Sequence, residues 1–140
     1  MLGSIRHQVR INRPADEVWS LVGDPARIPE WFDGIVACTV DGDRRTVTTA
    51  TGIDMPEEIL VRDDRQRRFQ YRVDVGLFTY HRGTIDVIDL GDGTCLATYA
   101  TDADPRAMAL VVGGASKAAL EHVKALVEAG PDDTSSEGTT

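Results

Sequence analysis

The chain has 140 residues, a length that favours one domain over two. Its hydrophobic share of 41% and charged share of 27% are those of an ordinary globular protein, not of a disordered or fibrous one. The net charge of −8 disfavours nucleic acid and anionic membranes as partners, because both are bound through basic surfaces.

The first predicted elements are a strand and two short helices. Apolar and polar residues alternate from Ile5 to Ile11, which predicts a half-buried strand. Pro14 favours the start of a helix that Gly23 ends, because proline suits the first turn and glycine the end. Asp24-Pro25 predicts a second start, and the short helical piece that follows closes at Gly34.

The middle of the chain alternates between strand-like segments and turn residues. The predicted strands cover residues 35–40, 45–51, 57–62, 68–74, 80–89 and 94–101. The clearest hairpin turn is Gly91-Asp92-Gly93, which lies between the last two of these segments. Consecutive strands with short turns predict an antiparallel sheet.

A long amphipathic helix is predicted near the C-terminus. It begins at Asp104-Pro105 and ends at Gly130, and small or apolar residues recur at helical spacing, at Met108, Val112, Ala115, Ala119, Val123 and Leu126. Residues 131–140 contain no apolar side chain and predict a disordered acidic tail. The element order predicts an α+β domain over residues 1–130.

Cysteine usage and the N-terminus bear on location. Cys38 and Cys95 form no metal-like spacing, so we expect reduced, buried thiols, no metal and no cofactor. The N-terminal residues turn polar at once, unlike a secretory signal peptide, and no apolar run reaches the ~18 residues of a membrane span. We therefore expect a cytoplasmic protein without stable membrane association, either a monomer or a homodimer.

Three groups of residues resemble the START/Bet v 1-like superfamily, within its bacterial polyketide cyclase/dehydrase-like and lipid-transport-like branch. They are residues 11–19 (INRPADEVW), Asp24-Pro25 with Pro29-Glu30-Trp31, and Gly83-Thr84-Ile85 with the Gly91-Asp92-Gly93-Thr94 hairpin. The resemblance implies a helix-grip fold, in which a curved seven-stranded antiparallel sheet surrounds a long C-terminal helix. It also implies a ligand cavity between sheet and helix, with the two short helices at its mouth. These motifs specify the fold and leave the activity open.

Strand pairing predicts which side chains face that cavity. If Asp89 pairs with Thr94 across the hairpin, then Val87 faces Leu96, Ile85 faces Thr98 and His81 faces Asp102. The same reasoning places Phe69, Tyr71 and Val73 on one face with Ile59, Val61 and Glu57. The predicted ligand-binding residues are His7, Trp31, Tyr71, Phe78, His81, Leu96, Thr98, Met108, Val112 and Ala115. Gly113, Gly114 and Ala115 are expected to leave room for the ligand.

Catalytic candidates are His81, Tyr71 and Glu57, each open to a plainer interpretation. His81 could move a proton or only orient a ligand. Tyr71 could be a wall residue with a hydrogen-bonding tip. Glu57 could be a buried acid or lie in solvent, since a one-residue slip would exchange it for Glu58.

We therefore weigh three functions. The leading one is a carrier that binds a hydrophobic small molecule, such as a lipid, isoprenoid or polyketide-like compound. The alternative is an aromatase/cyclase-like enzyme acting in the same cavity, which the lack of an evident inward arginine disfavours. The third is a protein-binding module using a strand face with Tyr80, Arg82, Cys95, Ala97 and Tyr99.

Overall fold

Within residues 1–130, which the computed structural model describes, seven antiparallel strands form one curved sheet. The sheet order is β1-β7-β6-β5-β4-β3-β2. The strands are β1 (Gly3–Ile11), β2 (Ile35–Asp41), β3 (Arg44–Thr49), β4 (Asp54–Asp63), β5 (Arg68–Val73), β6 (Tyr80–Asp89) and β7 (Cys95–Asp104). The helices are α1 (Ala15–Val22), α2 (Ile28–Trp31), α3 (Ala107–Gly113) and α4 (Ala115–Glu128). This confirms the predicted helix-grip fold.

The two short helices connect β1 to β2, the strands at opposite edges of the sheet. Gly23 ends α1 by donating its N–H to the Trp19 carbonyl at 2.8 Å. Asp24 then caps a 3-10 turn at Pro25–Arg27, where its carboxylate accepts from the Ala26 N–H at 3.0 Å. The local start and stop signals in the sequence therefore act where they were predicted.

The C-terminal helix crosses the sheet over β1 and β7. α3 and α4 form one helix of 22 residues, because the Gly114 N–H still donates to the Leu110 carbonyl at 3.0 Å. A Cβ on Gly113 would lie 2.4 Å from Ile5 Cγ2 and 3.1 Å from Thr101 Cβ. Gly113 therefore lets the helix approach the sheet closely, and the expectation that it leaves room for a ligand is wrong.

The register between β6 and β7 differs from the prediction by one residue. Asp89 pairs with Cys95, not with Thr94, because Leu90 and Thr94 close a three-residue turn with a 3.0 Å hydrogen bond. A shift of one residue moves every side chain of a strand to the other face. The inner face of β7 consequently carries the following residues: Cys95, Ala97, Tyr99, Thr101 and Ala103.

That shift corrects several site predictions. Leu96, Thr98 and Asp102 lie on the outer face of the sheet, away from the helix. The protein-binding surface proposed around Tyr80 and Arg82 loses its other members, because the β7 residues assigned to it are buried inside. On β6, in contrast, His81, Gly83, Ile85 and Val87 face inward as predicted.

β4 contains an irregularity that the pairing arithmetic missed. Ile59 stands opposite Tyr71 as predicted, but the register shifts before Val61, which pairs with Gln70. Gln70 points away from the inner face that Phe69 and Tyr71 share. Val61 is therefore not on the cavity side. Glu57 lies before the shift, so it remains on the inner face.

Three further expectations concern the tail, membrane-spanning helices and the two cysteines. The predicted disordered tail, residues 131–140, lies outside the described residues. Across residues 1–130, none of the helices combines the length and the apolarity that crossing a membrane requires. Cys38 is partly buried and Cys95 fully buried, and both are free thiols.

Candidate functional site

A cavity of about 220 Å³ lies between the sheet, α2 and α3. Most of its wall is apolar, and the apolar lining residues are Ile28, Phe32, Ile35, Val47, Met55, Val73, Val111, Val112 and Ala115. Its polar lining residues are Asp33, Thr49, Glu57, Tyr71, His81 and Thr101. An apolar enclosure with a few polar groups is typical of a small-molecule site.

A larger groove, of about 910 Å³, runs over the surface between α1 and the end of α4. Its charged groups neutralise one another in the pairs Arg13–Glu17 and Arg27–Glu30, at 2.9 and 2.8 Å. Because its charged groups are already paired with one another, this groove offers a ligand less than the cavity does. We therefore assign the candidate site to the cavity.

One member of a buried ion pair, Glu57, lines the cavity, and its partner Arg45 lies outside the lining. Arg45 and Glu57 are direct partners in the β3–β4 register, and Arg45 Nε lies 2.8 Å from Glu57 Oε1. The two side chains are only 2% and 5% exposed. Arg45 also donates to the Pro25 carbonyl at 3.0 Å. The pair thus ties β3 and β4 to the segment before α2.

Aromatic rings complete the surroundings of the arginine. The guanidinium carbon of Arg45 lies 5.1 Å from the centre of the Phe69 ring and 5.0 Å from that of Tyr71. Burial is the largest influence on the pKa of Arg45 and acts to lower it, but the charge of Glu57, its hydrogen bond and the two neighbouring tyrosines together outweigh burial, so that pKa is raised. Burial raises the pKa of Glu57 although Arg45 opposes the rise. Arg45 is therefore firmly cationic.

Two tyrosine hydroxyls meet beside this ion pair. Tyr71 on β5 and Tyr99 on β7 share a short hydrogen bond between their hydroxyl groups. Burial raises the pKa of Tyr99 to about 12 and that of Tyr71 well above its usual value, so both stay protonated. The Tyr71 ring reaches across β6 because Gly83 has no side chain, and a Cβ there would lie 2.5 Å from the ring.

His81 occupies the point where the β5–β6 ladder ends. The paired residues stop at Tyr71 and Gly83, and beyond them the Val73 N–H donates to His81 Nδ1 at 3.0 Å. The imidazole thus replaces a backbone carbonyl. A neutral imidazole has one donor and one acceptor, so the proton of His81 is on Nε2. Burial, helped by the nearby Arg82 charge, lowers the pKa of His81 to about 4, so the ring is neutral near pH 7.

Comparison with known proteins decides the family. A family model described as polyketide cyclase/dehydrase and lipid transport matches residues 3–128. The chain belongs to this family. None of the curated proteins compared with the chain matches it. Membership supports a ligand-binding or cyclase role and leaves the ligand open.

Solved structures of the same fold extend the comparison. An uncharacterised protein from Bacillus thuringiensis is 21% identical, with a TM-score of 0.78, over 87% of this chain and 96% of the other. Norcoclaurine synthase from Thalictrum flavum, solved with dopamine and hydroxybenzaldehyde, is 19% identical with a TM-score of 0.74, over 94% and 89%. The di-domain aromatase/cyclase BexL is 22% identical with a TM-score of 0.76, over 89% and 46%. At these identities the likeness shows the fold alone.

Five predicted site residues line the cavity of this polyketide cyclase/dehydrase and lipid transport family member. They are Glu57, Tyr71, His81, Val112 and Ala115. The open choice between Glu57 and Glu58 is thereby decided, because Glu58 lies on the outer face with Arg72 at 2.6 Å.

The other predicted residues lie elsewhere. Trp31 is 1% exposed and packs against Phe32 and Tyr99, outside the cavity lining. Phe78 contacts His81, with ring centres 5.0 Å apart, in a surface groove that adjoins the cavity at Val73 and His81. His7 pairs with Tyr99, and its Nε2 is buried with no hydrogen-bond partner among residues 1–130. Met108 is partly buried on α3. Leu96 and Thr98 are excluded by the register of β7.

Sequence reasoning missed three polar lining residues of the cavity in this family member, Asp33, Thr49 and Thr101, and also the buried Arg45. The statement that no inward arginine is evident is wrong, because Arg45 lies inside. Arg45 alternates with Val47, an apolar residue two positions later, and this pattern could have placed it inward. Thr101 was not predicted because the predicted register of β7 was wrong by one residue. Across residues 1–130, no group of three or more metal-ligating side chains is clustered.

Proposed function

We propose that this protein binds a hydrophobic small molecule in the cavity and acts as its carrier. The observation that supports this most directly is an apolar cavity of about 220 Å³ whose polar floor is already ordered by the Arg45–Glu57 and Tyr71–Tyr99 contacts. Groups that are fixed before the ligand arrives lose little freedom on binding, which favours affinity. A lipid, isoprenoid or polyketide-like compound fits the description at this level.

The driving force would be burial of apolar ligand surface. Each square ångström removed from water contributes on the order of 25 cal/mol before the costs of association. The lining gives that surface an apolar partner in Ile28, Val47, Met55 and Val112. The cavity opens where α3 passes the segment after α2, and the exposed side chain of Val111 lies at that opening.

The test is native mass spectrometry of the full chain purified from its own host. A bound molecule present at one per chain supports the carrier function, and its extraction identifies the ligand. Ala115→Trp should abolish that binding, because Ala115 lines the cavity and an indole would fill it. Ala118→Trp is the matched control, since Ala118 is exposed on the same helix outside the cavity lining. Equal loss in both variants, or an empty wild-type protein that also takes up no added ligand, would contradict the proposal.

A second candidate function is a cyclase-like enzyme, which the inward Arg45 and Glu57 favour. The only lone pair of the neutral His81 ring is engaged by the Val73 N–H, so this ring is a poor base. Glu57, whose pKa burial raises, is the better candidate for moving a proton in a ligand held close to it. Chemical change of the extracted ligand on incubation, lost in Glu57→Gln and kept in Glu58→Gln, would support this function over simple carriage.

A further inference from the structure

The size of the cavity limits the ligand. Liquid water occupies about 30 Å³ per molecule and bonded atoms pack more closely, so a 220 Å³ cavity accommodates on the order of ten non-hydrogen atoms. Sites for drug-sized ligands are larger, roughly 300–1,000 Å³. The space therefore suits a molecule of one or two rings, and it is too small for a long acyl chain or a sterol.

The polar groups at the floor converge on one small region. Glu57 stands opposite Val73 in the β4–β5 register, and His81 accepts the N–H of the same Val73. Glu57 and His81 thus flank one residue, and Tyr71, two positions earlier on the same face of β5, lines the cavity with them. The three side chains therefore share one part of the cavity lining.

These groups leave a defined set of unused hydrogen-bonding positions. Among residues 1–130, Glu57 receives one hydrogen bond, to Oε1 from Arg45, and Oε2 remains an acceptor. His81 offers its Nε2–H as a donor, because Nδ1 is occupied. The Tyr71–Tyr99 pair uses one of its two hydroxyl protons, so the other proton still needs an acceptor.

The ligand group that matches these free donors and acceptors is a hydroxyl group. A hydroxyl donates one hydrogen bond and accepts others, so it can donate to Glu57 and accept from His81 or the tyrosine pair. An ether or an ester lacks the proton that Glu57 requires. A carboxylate would place its negative charge against Glu57, while Arg45 is paired with Glu57 and does not line the cavity. An ammonium group has no acceptor for the two donors.

We infer that the ligand is a compact neutral molecule, on the order of ten non-hydrogen atoms, that buries a hydroxyl group between Glu57 and His81. This inference rests on the proposed ligand-binding function and narrows it. The ion pair with Arg45 keeps the Glu57 acceptor in place, and the Val73 contact fixes which nitrogen of His81 donates. The apolar remainder of the ligand lies against Val47, Met55 and Val112.

The test compares four probes by titration calorimetry with the full chain near neutral pH. They are 2-naphthol, its methyl ether 2-methoxynaphthalene, 2-naphthoate and palmitate. We expect 2-naphthol to bind at least tenfold more tightly than the ether, because an ether leaves the buried Glu57 acceptor without a donor. We expect no saturable binding of 2-naphthoate or palmitate.

A pair of variants attributes the preference to one carboxylate. In Glu57→Gln the preference for 2-naphthol over its ether should fall at least threefold, since charge-assisted hydrogen bonds are about twice as strong as neutral ones. The same variant should gain binding of 2-naphthoate, because Glu57 no longer repels it and Arg45 keeps its charge. This gain cannot come from unfolding. Glu58→Gln, which changes the neighbouring carboxylate on the outer face, should leave all four affinities unchanged.

Other results overturn the inference in distinguishable ways. Equal binding of the ether removes the hydroxyl requirement, and tight one-to-one binding of palmitate removes the size limit. Both of these outcomes leave the proposed binding function intact. If no probe binds and no host molecule accompanies the purified chain, the binding function itself fails. If Glu57→Gln does not fold, the relative affinities of the wild type for the three naphthalene probes still test whether the ligand requires a hydroxyl group.

Discussion

The buried pair Arg45–Glu57 leads to a quantitative prediction about stability. Removing one partner of such a pair leaves the other charge buried without compensation, at a cost of about 3–5 kcal/mol. For a domain of this size, 1 kcal/mol corresponds to roughly 4 °C in melting temperature. Glu57→Met should therefore lower the melting temperature by about 12–20 °C. Removing both charges should restore most of that loss, because methionines of similar length fill the space without desolvated charge.

The assay is a double-mutant cycle in urea unfolding, with wild type, Glu57→Met, Arg45→Met and the double variant. The double variant should lie within about 1 kcal/mol of wild type or be more stable. Glu58→Met is the matched control, since Glu58 and Arg72 are about one-third exposed and an exposed pair contributes only about 0–1 kcal/mol. A loss below about 1 kcal/mol in Glu57→Met, or a double variant equal to the sum of the singles, would refute the reasoning.

The pH dependence of the Arg45→Met variant carries a further check of the same argument. The carboxylate left behind is buried, and burial raises the pKa of Glu57. The folded variant therefore binds a proton that the unfolded chain has already released, and its stability falls as the pH rises. Arg45→Met should consequently lose more stability relative to wild type at pH 8 than at pH 5. An identical loss at both values would show that Glu57 is not the destabilising group.

Three more perturbations separate the cavity from the rest of the sheet. Thr101→Val should change the affinity for the cavity ligand, whereas Thr98→Val, on the outer face of the same strand, should not; titration calorimetry with the extracted ligand compares them. His81→Phe should flatten the dependence of the free energy of unfolding on pH between about 6.5 and 4. In that window His81 of the unfolded wild type binds a proton, whereas folded His81, with its lowered pKa, stays neutral. The contribution of neutral His81 to the stability of the wild type is thus fully present above pH 6.5. It is lost as the pH falls toward 4, at up to about 1.4 kcal/mol per pH unit. Gly83→Ala should displace the Tyr71 ring and break its hydroxyl contact, which the tyrosine ultraviolet difference spectrum and a lower melting temperature would report.

Each of these comparisons has a result that contradicts it. Equal effects of Thr101→Val and Thr98→Val would place the ligand outside the cavity. Parallel stability curves for wild type and His81→Phe would show that His81 titrates normally in the folded state. An unchanged spectrum and melting temperature in Gly83→Ala would mean that Tyr71 can move aside without cost.

The fold was predictable because local signals and the pattern of alternation agree. Pro14, Gly23 and the Asp24 cap act through neighbouring backbone atoms, so their effect does not depend on distant residues. The alternation of Phe69, Tyr71 and Val73 identifies an inner face for the same reason. Family resemblance then supplied the arrangement of a curved seven-stranded sheet around the long helix, which local patterns cannot determine.

The site was only partly predictable because it depends on register. The turn at Gly91-Asp92-Gly93 closes between Leu90 and Thr94. The predicted turn was one residue longer, so the prediction placed Asp102 on the inner face of β7 in place of Thr101. The irregularity between Ile59 and Val61 likewise has no clear signal in the composition of β4. Arg45 was overlooked because a charged residue is usually exposed, and only its buried partner makes an inner position tolerable.

The Arg45–Glu57 pair also constrains how the sequence can diverge. A lineage that replaces Arg45 first must carry a buried carboxylate without its cation, and one that replaces Glu57 first must carry the reverse. Both intermediates are disfavoured, so substitutions at the two positions should be acquired together. In proteins that descend from this chain, Arg45 and Glu57 should therefore be either both kept or both replaced. We expect this even where other residues of the cavity wall have changed to suit a different ligand.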